Sequence, residues 1–268
     1  MTAAPRPPPH AFRERLLARE PLLGTFMKVP SSHNTEVIGG LGYDFVVLDE
    51  EHAPWSRTTL DMGLLAARAA GAAGAAGIVR IARPDAASVL AALDDGAIGV
   101  LVPHVDSAQK ARDIVSWAHY KGGTRGAGVG RGGDYGARGD DHQAFADRTT
   151  TVMAMIEDRQ AIEVVDDIVS TPGVDAIFLG RGDLKLSLSN ATGPAPTVKE
   201  AVEIVTDACR RHGKPISAVV QSLASDETKW LMDLGVTAMM VASDQGFLRQ
   251  AAGAALQQFR TMTATRRE

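Results

Sequence analysis

"FVVLDEEHAPW", residues 45–55, runs from a buried-looking β-branched stretch directly into three consecutive acids and a histidine. It reads as a strand that leaves the core and delivers charge at its C-terminal end. Seven further runs of this kind lie along the chain: "LLGTFMK" (22–28), "GIVRI" (77–81), "IGVLV" (98–102), "TVMAMIE" (151–157), "VDAIFLG" (174–180), "PISAVV" (215–220) and "VTAMMVA" (236–242). Helical stretches separate them. Two of these carry start signals, Asp106 followed by Gln109 and Thr197 followed by Glu200, which fit capping boxes whose side chains satisfy free amides at a helix start. Strand and helix alternating eight times within 268 residues predict an α/β fold, a (β/α)8 TIM barrel, with an open doubly wound sheet as the structural alternative.

Two segments stand outside the repeat. Residues 11–20 read as a short extra helix ahead of the first strand, and residues 121–148 as a long glycine-rich insertion before the fifth. The chain closes on a helix-like stretch over 246–262 and a basic tail. The proline-rich residues 1–10 read as a disordered lead-in, which leaves 11–268 as a single barrel domain.

Composition narrows the function. The residues are 45% hydrophobic, enough for one large core, and the formal net charge is −4, with 28 Lys+Arg against 32 Asp+Glu. No basic field exists to hold nucleic acid or an anionic membrane surface. No apolar run reaches spanning length; even "AARAAGAAGAAGIV" is broken by Arg68 and three glycines. The lead-in lacks the apolar centre of a secretory signal, so a cytoplasmic protein is expected. The single cysteine, Cys209, permits no intrachain disulfide and reads as a small buried filler.

Barrel chemistry gathers at the C-terminal ends of strands, where the loops converge on one open face. Asp49 ends the second run, Arg80 lies near the end of the third, Glu157 ends the fifth, and Asp183 follows the sixth. Alternation puts Phe45, Val47 and Asp49 on one strand face, as it does Ile78 with Arg80, and Met153 and Met155 with Glu157. Glu157 and Asp183 opposite an arginine suit a hard divalent cation bound by oxygens. They equally suit an ion-pair network that closes the barrel end, and position alone leaves both open. His52, three residues past Asp49, is close enough for that carboxylate to orient the imidazole and raise its basicity. Glu50 and Glu51 read as supporting or solvated, outside any metal site. "GVGRGG" (128–133) matches a nucleotide-binding pattern but follows a turn rather than a strand. "RGD" (181–183) reads as a site loop. The seven histidines show no H-x-x-x-H or C-x-x-C spacing of a usual zinc site.

Taken together, "LGTFMKVPSSHNTEVIGGLGYDFVVLDEEHAP", "GVLVPHVDSAQKAR" (99–112), "GGTRGAG" (122–128), "MIE" ending at Glu157, "GVDAIFLGRGDL" (173–184) and "ASD" (242–244) resemble the HpcH/HpaI family of class II pyruvate aldolases. The resemblance covers almost the whole chain from about residue 11. It implies a metal-dependent carbon–carbon lyase that cleaves a hydroxy-2-oxo acid into an α-keto acid and an aldehyde through an enolate. On it, Glu157 and Asp183 would hold Mg²⁺ or Mn²⁺, with Co²⁺ or Zn²⁺ as further candidates. Arg80 would neutralise the enolate oxygen, and His52 with Asp49 would form the acid–base dyad. Substrate contacts would come from Arg80, Gly182, Asp183 and Met155. The family also implies a homo-oligomer, trimer or hexamer, with the last helix against a neighbour. The chain departs from the family pattern at Met155, where glutamine is usual, at Arg181-Gly182, where Pro-Ala is usual, and at Lys185 in place of serine. These departures predict a donor larger than pyruvate or differently polar. In the related citrate lyase β-subunits an acidic pair stands where this chain has Glu51-His52, which sets those enzymes apart.

Overall fold

Each of the eight apolar runs forms a strand: β1 (Leu22–Met27), β2 (Phe45–Asp49), β3 (Ala76–Arg80), β4 (Gly99–Val102), β5 (Thr151–Ile156), β6 (Ala176–Leu179), β7 (Ile216–Val220) and β8 (Val236–Ser243). The computed structural model describes residues 7–71, 74–190 and 192–264. All strand pairs are parallel and follow chain order, and β8 returns to pair with β1. That last pairing closes a (β/α)8 barrel and removes the open-sheet alternative.

Strand alternation divides the core in two. Phe45, Val47, Ile78, Leu101, Met153, Met155 and Phe178 fill the barrel interior. Their neighbours Val46, Leu48, Val79, Val100, Val152 and Ala154 face outward, into the layer beneath the helices. A Cβ on Gly24 would lie 2.4 Å from the Phe45 ring, so the missing side chain makes room for it. The extra N-terminal helix, Phe12–Leu17, plugs the end of the barrel where the strands begin, with the Phe12 and Phe45 ring centroids 5.1 Å apart. It is tied there by Arg13, whose Nε and Nη2 donate to buried Asp175, which also accepts the Val152 N–H.

The helix starts obey the capping rules with one correction. Thr197 and Glu200 form both halves of the expected box ahead of Val198–Arg211. Before Ala108–Ala118, however, the capping residue is Ser107, whose extended backbone lets Oγ accept the Lys110 N–H at 3.3 Å. Asp106 instead takes the Lys110 ammonium at 2.9 Å, the stronger charged partner. In the 121–148 insertion lie two 3₁₀ turns, Arg131–Gly136 and Gly139–Asp141, and the helix His142–Thr149. "GVGRGG" therefore neither follows a strand nor opens an α-helix. Of the expected lead-in, residues 1–6 lie outside the described residues, whereas Pro9–Ala11 form a 3₁₀ turn with His10 edge-on to Phe145.

The last helix, Asp244–Ala264, has 21 residues, and Leu248, Leu256, Phe259 and Met262 along it are exposed. No helix among the described residues is long and apolar enough to cross a membrane. Cys209 is fully buried, and burial pushes its thiol up to about 12. The folded protein is therefore expected to resist iodoacetamide at pH 8 and to alkylate at one site once unfolded in urea. Rapid labelling of the native chain, read by intact mass, would contradict this.

Candidate active site

The open end of the barrel is organised by a buried ion pair. Register sets Asp49 of β2 beside Arg80 of β3. The fork of Arg80 meets the carboxylate in two bonds, Nε to Oδ1 at 2.8 Å and Nη2 to Oδ2 at 2.6 Å. Lys28, one residue past β1, brings its ammonium within 3.0 Å of Asp49 Oδ2. The Phe26 ring lies below both cations, 4.8 Å from the Arg80 guanidinium carbon and 5.7 Å from Lys28 Nζ. Burial alone would raise the Asp49 pKa, but Arg80 and Lys28 outweigh it and hold the carboxyl below its ordinary value.

Asp49 also accepts the His52 backbone N–H at 3.1 Å, which pins the turn after β2. Its oxygens are thereby occupied, and the His52 imidazole points elsewhere. Nε2 lies 3.8 Å from Glu51 Oε2 and 3.8 Å from Asp183 Oδ2. The expected Asp49–His52 side-chain pairing is thus replaced by Asp49–Arg80. An alternating strand face favours a cross-strand neighbour over a side chain three residues along the turn.

The second half of the site is a group of carboxylates lacking full partners. Glu157, immediately after β5, is 1% exposed. Its Oε1 accepts the His104 backbone N–H at 2.8 Å, while Oε2 has no hydrogen-bond partner. Glu51 Oε2 is likewise buried without one, although Arg80 Nη1 approaches it to 3.2 Å. Glu51, His104 and Glu157 each offer a ligand atom, and those atoms lie within 4.8 Å of one another. Desolvation pushes the Glu157 pKa up to about 7, with the charges of Glu51 and Asp183 adding to it. For His104, burial opposes ionisation, but the bond to Asp158 and the nearby carboxylates outweigh it and raise the pKa. Glu51 therefore faces the site, against the expectation of a supporting or solvated residue. The Glu50 carboxylate turns away, toward the Ala82 backbone amide and the charges of Arg57 and Arg83.

The third edge is the helix Arg181–Ser189, whose first turn carries Asp183, where the helix dipole favours a carboxylate. Gly180 ends the approach to it; a Cβ there would lie 2.6 Å from Glu157 Cβ and 2.8 Å from Met155 Cε. Arg181 donates to Glu227 and to the Val219 carbonyl, so its charge is held toward β7. Gly182 is exposed with open space at its Cβ position. Met155 is buried beneath the cleft beside Phe178, its register partner. Lys28, His52, Arg80, Met155, Gly180 and Asp183 all line this cleft, together with Gln221 and Ser243 of the far wall. A separate cavity opens near the strand starts, lined by Arg68, Arg131 and Arg138. Those arginines are paired with Asp134, which also lines the cavity, and with Asp61.

Residues 23–251 match the family model for HpcH/HpaI aldolase/citrate lyase. The chain belongs to the HpcH/HpaI aldolase/citrate lyase family. It is a carbon–carbon lyase by that membership. A 5-keto-4-deoxy-D-glucarate aldolase of Klebsiella pneumoniae is 30% identical over 91% of this chain and 94% of its own length. Among solved structures, an HpcH/HpaI aldolase/citrate lyase family protein of Burkholderia cenocepacia superposes with a TM-score of 0.86 at 28% identity, covering 94% of this chain and 99% of its own. An HpcH/HpaI aldolase of Desulfitobacterium hafniense gives 0.83 at 26%, covering 92% and 96%.

Within this HpcH/HpaI barrel, sequence reasoning passed over Lys28, His104 and Asp158. Lys28 shares a strand face with Gly24 and Phe26, so the alternation that singled out Asp49 reaches it too. His104 and Asp158 lie beyond the strands, where no periodicity points them. Asp49→Asn should destabilise the fold by about 3–5 kcal/mol, because it leaves Arg80 without its buried counter-ion. Denaturant unfolding measures this; a loss below about 1 kcal/mol would show that the pair is not the anchor.

Proposed function

We propose that the chain is a divalent-metal-dependent aldolase. It reversibly cleaves a hydroxy-2-oxo acid into an α-keto acid, pyruvate or a close analogue, and an aldehyde. The observation that carries the reading is the buried Glu157 carboxylate with its free Oε2 at the mouth of the barrel, near Glu51, which in turn meets Arg80. A buried carboxylate crowded by other carboxylates is costly, and a cation removes the cost. The oxygen-rich donor set fits one. Glu157 and Asp183 would hold it, with Mg²⁺ or Mn²⁺ as the first candidates. When bound, such an ion supplies a Lewis acid that polarises the keto group and offsets developing negative charge.

The chain's own groups account for the rest. Arg80 is already fixed by Asp49, so its guanidinium can face developing negative charge without reorganising. Lys28 adds a second cation on the same side. His52 is half-exposed between Glu51 and Asp183 and carries the proton to and from the aldol hydroxyl. Met155 gives the floor an apolar thioether, which favours a donor with a carbon chain longer than pyruvate's. The acid named for the Klebsiella relative, with a keto group beside a carboxylate, belongs to the proposed substrate class. We place the enzyme in the cytoplasm.

Proton NMR in D₂O provides the test. Deuterium should enter the carbon next to the keto group of pyruvate or 2-oxobutanoate, with chelator abolishing the exchange. Arg80→Lys should slow it by about 100-fold or more. Exchange that persists in chelator would sink the metal mechanism, and exchange clearly faster for pyruvate would remove the larger-donor reading. Decarboxylation of oxaloacetate without aldol cleavage would assign the sister reaction on the same chemistry.

The exposed apolar side chains of the last helix support a homo-oligomer, a trimer or hexamer. Light scattering should return three or six times the 28.2 kDa chain mass. A monomer at micromolar concentration would overturn this.

A further inference from the structure

His104 stands in the loop after β4 with a left-handed backbone, φ +54. That region is uncommon for a residue with a Cβ. The conformation turns its N–H onto Glu157 Oε1 at 2.8 Å and brings its ring over the same carboxylate group. Ring Nδ1 lies 3.1 Å from Asp158 Oδ2, and Nε2 lies 3.6 Å from Glu51 Oε1. An ionised carboxylate only accepts hydrogen bonds, so Nδ1 donates to Asp158, and Nε2, on the Glu51 side, is the nitrogen left to bind an ion in place of a proton.

Asp158 adds an independent observation. It occupies the N-cap of the helix Arg159–Glu163, a place where aspartate ordinarily bonds the helix's own amides, yet it makes no capping bond. Its side chain is directed at His104 instead, and Ser187 Oγ accepts the Arg159 N–H. A carboxylate that fixes the tautomer of an imidazole while the other nitrogen faces a metal is a recurrent outer-layer arrangement in metal sites. The facing atoms are at hand: Glu157 Oε2 is buried without a hydrogen-bond partner, and Glu51 gives Oε2 to Arg80 Nη1 at 3.2 Å and turns Oε1 toward His104. Two ligands each about 2.1 Å from one ion lie at most about 4.2 Å apart. The Glu51, His104 and Glu157 ligand atoms lie within 4.8 Å of one another, so a closure of under about 1 Å brings them to one ion.

We propose that His104 is a nitrogen ligand of the divalent cation in this site, with Asp158 as the residue that positions it. We further propose that this nitrogen makes the site prefer a borderline transition-metal ion such as Co²⁺ or Zn²⁺ to Mg²⁺. Imidazole binds such ions well, whereas Mg²⁺ favours oxygen and water. The proposal rests on the metal-dependent reading above, adds a ligand to it, and departs from it in placing Co²⁺ or Zn²⁺ ahead of Mg²⁺. Glu51, read from sequence as outside the metal site, becomes its neighbour or partner in holding the ion.

The test uses the full-length protein, stripped of metal and titrated with Co²⁺ or Mg²⁺ alone. In the Co²⁺ form, proton NMR should show a strongly shifted resonance that disappears in D₂O, from the Nδ1–H of a ligated histidine. His104→Asn keeps a residue type that tolerates the left-handed backbone and removes the imidazole. It should eliminate that resonance and weaken Co²⁺ binding at least 10-fold by calorimetry, while Mg²⁺ affinity stays within 3-fold. Asp158→Asn should retain the resonance at an altered shift and weaken Co²⁺ binding by about 10-fold. A wild-type Co²⁺ form without the resonance would overturn the proposal and leave the metal-dependent aldolase standing, as would a His104→Asn variant that keeps it. Binding of neither ion to the wild-type protein would overturn both.

Discussion

The structure turns on one constraint: Asp49 and Arg80 are buried together at the end of two adjacent strands. Removing two such charges from water costs several kcal/mol per ion, and only good geometry and further hydrogen bonds offset it. Here the offset comes from a two-bond fork, the Lys28 ammonium and the His52 backbone amide. Each partner comes from a different place: β3, the end of β1 and the turn after β2. Satisfying one carboxylate thus fixes the relation of three segments. A one-residue slip of β2 would move Asp49 to the helix-facing side and leave Arg80 alone in the core.

The neighbouring half of the site is built on the opposite principle. Glu51 and Glu157 have buried oxygens that the chain does not satisfy, and desolvation drives Glu157 toward its neutral form. Gly180 allows the close approach that creates this crowding, and the left-handed turn at His104 aims an amide and a ring into it. Local preference yields at several of these positions, including the unused cap at Asp158. The satisfied pair supplies rigidity, and the unsatisfied carboxylates supply the place for chemistry.

The fold was legible from residue pattern because burial acts directly on it. Every apolar run became a strand, with ends shifted by no more than two residues, and the faces expected for Phe45, Val47, Ile78, Met153 and Met155 all point into the barrel. The site was only partly legible. Asp49, Arg80 and Glu157 lie on or next to strands, so the period of two carries them to the same mouth. Glu51, His104 and Asp158 follow strand ends, where the chain direction depends on turn geometry and on which hydrogen bonds remain open. The same limit explains the shift of the cap from Asp106 to Ser107: either side chain can serve, and the competing Lys110 ammonium decides.

By itself, the sequence determined the strand count, the inward positions and the chemical types gathered at the barrel mouth, since these follow from local spacing and the cost of burying charge. Tertiary structure alone decided which partner each group takes. Asp49 holds Arg80 rather than the His52 ring, Glu51 turns inward and Glu50 away, and Asp158 serves His104 instead of its own helix. Those choices join residues 31 positions apart for Asp49 and Arg80 and 54 apart for His104 and Asp158. They are set by competition among neighbours for the same few hydrogen bonds, a competition that exists only once the barrel has closed.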